Sequence, residues 1–153
     1  MAKHDKVEIL NKKAGFEYHI LQKFTAGMQL TGTEVKSVRL GNGNLNEAYC
    51  FFKGDELFVR GFNIGQYKQG SYNNHETLRI RKLLLKKAEL QKLKNKIAEK
   101  GTAIVPLKIF ESERGYLKME IALAQGKKAF DKREAIKTRD VERNLRRGNT
   151  HLS

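Results

Sequence analysis

The side chains that most often carry out acid–base, nucleophilic or metal chemistry are few and scattered in this sequence. The four histidines lie far apart, at His4, His19, His75 and His151. None has the spacing to another histidine, cysteine or acid that metal sites use. The one cysteine, Cys50, lies in an apolar run, which is typical of a small buried hydrophobe rather than a nucleophile. We therefore predict a binding protein that is not an enzyme and needs no cofactor or metal.

Binding to a polyanion is the chemistry that the sequence supplies in quantity. Lysine and arginine number 31 against 17 acids in 153 residues, which gives a formal net charge of +14. Nine basic residues and two acids lie in 79–100, and nine basic residues and four acids lie in 126–153. This concentration predicts that a helix face and a tail bind nucleic acid. The plainer alternative for the helix is an ordinary solvated face.

Several classes of protein are excluded by the same composition. A lone cysteine cannot form an internal disulfide, and the first six residues lack the apolar stretch of a signal peptide. No apolar run approaches the ~20 residues of a membrane span, and the basic helix has no Trp or Phe to anchor it in a bilayer. We expect a cytoplasmic monomer that makes no membrane contact.

Residues 7–70 have the alternation of apolar and polar side chains that is typical of β-strands, for example over 16–20. The segment 53–55 separates two apolar runs as a hairpin turn would, and a second hairpin is predicted at 112–115. In the strand that follows the second hairpin, Lys118 faces solvent. Pro106, in the strand before it, indicates an edge or a bulge.

One long helix is predicted at about 77–100. The segment contains no internal Gly or Pro, and Leu83, Leu90, Leu93 and Ile97 fall on one stripe at about 100° per residue. Leu84 projects nearly opposite this stripe, among charged residues. Many strands around one long helix predict a β-rich α+β fold, a small closed antiparallel β-barrel.

The chain is predicted to divide into a barrel domain over 1–125 and a basic tail over 126–153. Large apolar residues are too scarce in the tail for a core of its own, so we expect disorder when it is free and a helix on binding. Five of its basic residues would share about 100° of helical arc: Lys132, Arg139, Arg143, Arg146 and Arg147.

Three segments combine into a more specific pattern: GTEVKSVR at 32–39, RIRKLLL at 79–85, and IALAQGKK at 121–128 running into DKR at 131–133. In this order and spacing the chain resembles the small protein B family, the SsrA-binding proteins of bacterial trans-translation. The resemblance covers about 7–147. It implies a small oblate β-barrel resembling an OB-fold, with flanking helices and a disordered tail, that binds the tRNA-like domain of transfer-messenger RNA.

The resemblance also implies a mode of action. Such proteins help deliver the alanine-charged RNA, with elongation factor Tu, to ribosomes stalled on messages that lack a stop codon. The barrel stands in for missing parts of a tRNA near the decoding centre. The tail is thought to enter the empty mRNA channel, fold into a helix and report that no message is there.

Carried over residue by residue, the resemblance implies RNA contacts at Leu84 and Lys118. It often places an RNA-binding glutamate at the position of Thr25, where this sequence departs. Five charged residues complete the predicted RNA-binding set: Glu34, Lys36, Arg39, Arg81 and Lys82. The residues predicted for the ribosome and the mRNA channel are Gly126, Lys127, Lys128, Phe130, Asp131, Lys132, Arg133, Lys137, Arg139, Arg143, Arg146 and Arg147. Phe130 stands where His or Tyr is frequent, so stacking is kept and a hydrogen bond is lost.

Other interpretations stay open at this point. A ribosomal or assembly protein that uses a barrel on ribosomal RNA would share the charge and the fold class, and an RNA-processing enzyme is a third class. The charged residues of 34–39 could form a strand-end salt-bridge cluster. Leu84 could be an ordinary exposed leucine, and the tail could be a solubilising appendage.

Overall fold

The structure is a computed structural model that describes residues 6–68 and 74–127. Within these residues the chain forms nine strands: β1 (Glu8–Leu10), β2 (Tyr18–Met28), β3 (Gly43–Asn44), β4 (Tyr49–Lys53), β5 (Glu56–Arg60), β6 (Asn63–Ile64), β7 (Arg81–Leu84), β8 (Thr102–Glu111) and β9 (Leu117–Gly126). The same residues form three helices: α1 (Ala14–Glu17), α2 (Gly32–Arg39) and α3 (Lys87–Ile97).

Seven of the strands form one antiparallel sheet that closes on itself. Its order is β1-β8-β4-β5-β7-β2-β9, and β9 also pairs with β8. The additional pairing turns the open sheet into a ring, so most strand edges are hydrogen-bonded. The predicted small antiparallel barrel is confirmed. Strands β3 and β6 form a separate two-stranded ribbon.

The hydrophobic core lies among the inward-facing residues of this ring. Leu57 and Val59 of β5 and Met119 and Ile121 of β9 are fully buried, as period-two alternation requires. Helix α3 contributes the fully buried Leu93, while its lysines remain exposed. The helix therefore covers the core with one apolar side and presents positive charge on the other.

Both predicted hairpins are present. Gly54 turns the chain between β4 and β5 with φ of 64°, and Gly115 turns it between β8 and β9 with φ of 86°. Both values lie in the left-handed region, which glycine enters without steric cost. The register of β8 against β9 shifts between Pro106 and Lys108, which confirms the predicted bulge.

The helix predicted at about 77–100 begins ten residues later, so that part of the prediction is wrong. Residues Arg81–Leu84 form β7, which pairs with β5 and β2, and α3 begins at Lys87. Arg81 and Leu83 point inward along β7 and Leu84 points outward, so alternation replaces the predicted helical stripe. With 11 residues, α3 is short, and no helix within 6–68 and 74–127 could cross a membrane.

Two segments within the β-rich stretch predicted over 7–70 are helical. Residues 32–39 form α2, which Thr31 caps: its hydroxyl oxygen accepts from the Glu34 amide, and the Glu34 carboxylate accepts from the Thr31 amide. This reciprocal capping box satisfies two backbone donors at the helix start. Phe16 lies on α1 and is 78% exposed, and Ile20 and Leu21 of β2 are also exposed, so the one-sided burial predicted over 16–20 is wrong. The register of β2 against β9 shifts between Ile20 and Gln22, and alternating burial begins only after this shift.

Candidate nucleic-acid interface

A groove of about 350 Å³ lies where the end of β2 meets α2, the end of β7 and the β8–β9 hairpin. We call it the β2 groove, and its lining residues are Gly27, Met28, Leu30, Val35, Arg39, Leu84, Gly115, Tyr116, Leu117 and Lys118. Met28, Leu30 and Leu117 are partly buried and continue the hydrophobic core to the surface. Cationic side chains beside apolar side chains suit a nucleotide, which has a charged phosphate and a flat apolar base.

The sheet register places Leu84 and Lys118 on either side of one glycine. Gly27 of β2 pairs with Leu84 of β7 and with Lys118 of β9. A Cβ atom added at Gly27 would lie 3.4 Å from the Cβ of Leu84, in ordinary contact. The glycine therefore leaves open the space between the leucine and the lysine, and two residues from distant parts of the chain share one surface.

Strand alternation brings both side chains to the outside of the sheet. Leu83 is fully buried and Leu84 is 45% exposed, while Met119 is fully buried and Lys118 is half-buried beside it. The outward direction expected for Leu84 is confirmed, although it arises from a strand and not from a helix. The outward direction expected for Lys118 is also confirmed, and it arises from strand alternation, as predicted.

Arg39, at the end of α2, holds the β8–β9 hairpin. Its Nη1 donates to the Glu111 carboxylate, and its Nη2 donates to the Gly115 carbonyl at 2.7 Å. The guanidinium thus joins the groove wall formed by α2 to the wall formed by the hairpin. Arg39, predicted to bind RNA, lines the groove, and two of its donors are occupied by protein partners.

Lys36 and Lys82 are not among the groove residues. Lys36 is exposed on α2, and its Nζ lies 5.4 Å from the centroid of the Tyr67 ring, a cation–π contact. Lys82 points outward from β7, and its Nζ lies 3.3 Å from a carboxylate oxygen of Glu56. Both remain accessible to a polyanion, and both already have partners within the chain.

Glu34 and Arg81, both predicted to bind RNA, are fully buried, so neither side chain presents a surface to RNA in this structure. The Glu34 carboxylate accepts from Nε of Arg81, from Nη2 of Arg79 at 2.5 Å and from the Thr31 amide at 2.8 Å. Arg81 also donates to the Phe62 carbonyl at 2.6 Å, and its guanidinium lies 5.1 Å from the Phe62 ring centroid. These contacts tie α2 to β7 below the groove.

The electrostatic consequence is largest for Glu34. Burial opposes ionisation of its carboxyl group, but hydrogen bonds from Arg79, from the Thr31 amide and from Arg81 lower its pKa to about 2. Burial lowers the pKa of the Arg81 guanidinium, and Glu34 opposes that shift. Because arginine keeps its proton throughout the physiological range, the two side chains form a buried ion pair.

Comparisons with known proteins agree with this architecture. The family model described as SmpB protein matches residues 8–151. The chain belongs to the SmpB family. An SsrA-binding protein of Cytophaga hutchinsonii is 52% identical over 141 residues, which are 92% of this chain and 92% of the relative. An SsrA-binding protein of Flavobacterium psychrophilum is 53% identical over 141 residues, 92% of this chain and 94% of the relative.

A solved structure supports the assignment to the SmpB family. A chain from the structure named "tmRNA-SmpB: a journey to the center of the bacterial ribosome" is 43% identical to this one, with a TM-score of 0.66. The likeness covers 80% of this chain and 84% of that chain. The resemblance to small protein B predicted from three sequence segments is therefore confirmed.

Of the RNA-binding residues predicted for this SmpB-family chain, the structure gathers Arg39, Leu84 and Lys118 in the β2 groove. Thr25 is exposed on β2, where it pairs with Glu120 of β9. Sequence reasoning missed Tyr116, because a single aromatic residue beside a turn carries no distinctive signal. It also missed Gly27, whose part in the groove depends on pairing with two strands.

The predicted tail begins at the end of β9. Gly126 and Lys127 line a shallow pocket of about 430 Å³ together with Phe16, Glu17 and Tyr18. The other residues predicted to contact the ribosome and the mRNA channel, Lys128 through Arg147, lie outside the described residues.

Two side chains with catalytic potential, Cys50 and His75, lie inside the fold. Cys50 is buried, and burial raises the pKa of its thiol, so the prediction of a buried small hydrophobe is confirmed. His75 is buried, with Nδ1 2.9 Å from the Thr33 hydroxyl and Nε2 2.9 Å from the Ile64 carbonyl. Among residues 6–68 and 74–127, no three His, Cys, Asp or Glu side chains gather as a metal site would.

Proposed function

We propose that this chain binds the tRNA-like domain of transfer-messenger RNA and brings that RNA to stalled ribosomes for trans-translation. The observation that carries the proposal is the pair Leu84 and Lys118 on either side of Gly27 in the β2 groove. Membership of the SmpB family supports it, as do relatives that are named SsrA-binding proteins and a similar chain named with tmRNA and the bacterial ribosome.

Two kinds of contact contribute to RNA binding, one to its affinity and the other to its selectivity. Lysines on the exposed side of α3 and at the groove supply affinity that does not depend on sequence, because they displace counterions from phosphates. The groove supplies selectivity, since folded RNA is recognised by its shape and by bases that are free of pairing. A chain with a net charge of +14 needs the second contribution to distinguish one RNA from another.

This proposal predicts that Leu84→Ala and Lys118→Ala each weaken binding to an isolated tRNA-like domain by about five- to a hundredfold, the range of a lost base or phosphate contact. The measurement is a filter-binding titration at physiological salt, with an ordinary elongator tRNA in parallel. Lys53→Ala removes an exposed lysine from the β4–β5 hairpin and serves as the matched control. Equal affinity of the wild-type protein for both RNAs would instead favour a general ribosomal RNA binder.

The proposal extends to the tail and to further partners. The basic residues of 126–153 would occupy the empty mRNA channel as a helix, because an anionic channel neutralises a polycation that cannot fold alone. Elongation factor Tu would join through the charged RNA rather than through this chain, which would act as a monomer. The proposed role of this chain is that of a binding protein in the cytoplasm, without a catalytic step.

Removal of the tail should separate RNA binding from ribosome rescue. A chain that ends at Gly126 keeps the closed barrel and the β2 groove, so its affinity for the tRNA-like domain should stay within about threefold of wild type. Tagging of peptides on stalled ribosomes should be lost in a reconstituted translation assay. Normal tagging by the truncated protein would contradict the sensing role of the tail.

A further inference from the structure

Tyr116 presents an aromatic ring to solvent at the edge of the β2 groove. The residue is 65% exposed, and it shares the groove with Leu84 and Lys118. The ring is therefore accessible to a ligand that enters the groove, and an aromatic ring offers that ligand a flat apolar face.

The backbone that carries the ring is held from several sides. The Tyr116 amide donates to the Ser112 hydroxyl at 3.1 Å, and the Tyr116 carbonyl accepts from the Ser112 amide at 2.7 Å. Arg39 donates to the adjacent Gly115 carbonyl at 2.7 Å and to Glu111. Because the backbone of the hairpin is already fixed, its ordering adds little to the entropy lost on binding, and the ring is held at the edge of the groove.

The composition of the groove matches one unpaired nucleobase and its phosphate. Its volume of about 350 Å³ is near the lower end of the ~300–1,000 Å³ of small-ligand pockets. Leu84, Met28 and Leu117 offer apolar surface to a base, and Lys118 offers a cation to the phosphate. Gly27 keeps the middle of the groove free of a side chain.

We propose that Tyr116 is an RNA-contacting residue whose ring stacks on a single unpaired base bound in the β2 groove. The inference rests on the proposed function and adds to it the residue and the chemical form of the ligand. Stacking on an aromatic ring tolerates any base, so Tyr116 selects an RNA that presents an unpaired base at this position, not a particular sequence.

The test compares Tyr116→Ala with Tyr116→Phe, which keeps the ring, in the full chain. Tyr49→Ala is the matched control, because Tyr49 is 44% exposed and lies outside the groove. We expect Tyr116→Ala to weaken binding to the tRNA-like domain about five- to a hundredfold, and the other two variants to stay within about threefold of wild type. A 2-aminopurine base placed in turn at each unpaired position of the RNA reports stacking directly, as quenching that Tyr116→Ala abolishes at one position.

Affinity and quenching that are unchanged in Tyr116→Ala, with Leu84→Ala still weakened, would overturn this inference and leave the proposed function standing. Loss of binding in Tyr116→Phe as well as in Tyr116→Ala would also overturn it, because the ring alone would not be the contact. Equal binding of wild type to the elongator tRNA would count against the proposed function instead. Tyr116 stacking would then stand only if Tyr116→Ala still weakened binding to both RNAs.

Discussion

Glu34 stabilises the β2 groove without reaching it. The carboxylate is fully buried between Arg79 and Arg81 and also accepts from the Thr31 amide, so one acid joins the start of α2 to the strand that carries Leu84. Removal of one member of a buried ion pair leaves an uncompensated charge away from water. The effect of Glu34 on RNA binding is therefore expected to act through the fold.

Glu34→Gln should destabilise the protein by about 3–5 kcal/mol at pH 7, because Arg81 would lose its buried counter-charge. The folded-state pKa of about 2 lies below the usual 4.5, so the stabilisation is complete above pH 4.5 and is lost as the pH falls toward 2. Urea denaturation of both proteins across this range should show their stabilities converging in acid. Glu56→Gln, which removes a half-exposed partner of Lys82, is the control and should change stability little. A stability difference between wild type and Glu34→Gln that does not change with pH would contradict the assignment of the buried ion pair to the Glu34 carboxylate.

Helix α2 joins the interior network to the groove. Its first turn carries the capping box and Glu34, and its last turn carries Arg39, which holds the hairpin of Tyr116. Between these two residues in the sequence of the helix, the Ser37 hydroxyl donates a hydrogen bond to the Gly65 carbonyl. A helix of eight residues has little stability of its own, so it depends on its cap and on these tertiary contacts.

Thr31→Ala should cost about 1 kcal/mol of stability, the usual price of removing an N-cap side chain. The Glu34 amide would lose the hydroxyl oxygen that accepts from it at 3.3 Å. Thr31→Ser keeps that oxygen and should restore the stability, which guanidinium denaturation would measure. Equal loss in the two variants would show that the methyl group of Thr31, and not the cap, carries the effect.

Local features of the fold could be predicted, and features that depend on distant pairing could not. The turns at Gly54 and Gly115 and the bulge at Pro106 follow from backbone chemistry that the sequence displays. Helix α2 had a readable signal in Thr31 and Glu34, three residues apart, which alternation in the neighbouring segments concealed. Strand β7 was hidden because its inward Arg81 is polar, and only its buried partner explains the position.

In the candidate site too, some features could be predicted from the sequence and others could not. Leu84 and Lys118 could be proposed from the resemblance to small protein B, and the structure places them together. The burial of Glu34 and Arg81 could not be predicted, because charged residues are normally exposed unless a partner accompanies them. The groove itself is produced by the register of three strands and the hairpin, which no single segment encodes.

At the scale of the whole molecule, the ring of strands needs an early strand, β2, to pair with the last strand, β9. Strand β2 pairs with β9 from Tyr18 opposite Gly126 to Gly27 opposite Lys118, so about a hundred residues must be synthesised between the two partners. At a synthesis rate of ~5–20 residues per second, β9 becomes available to β2 on the order of 5–20 s after β2 is made. A message cut anywhere before the codons of β9 yields a chain that cannot close its sheet. Each folded copy of this protein is therefore evidence that its own message was read at least through the codons of β9.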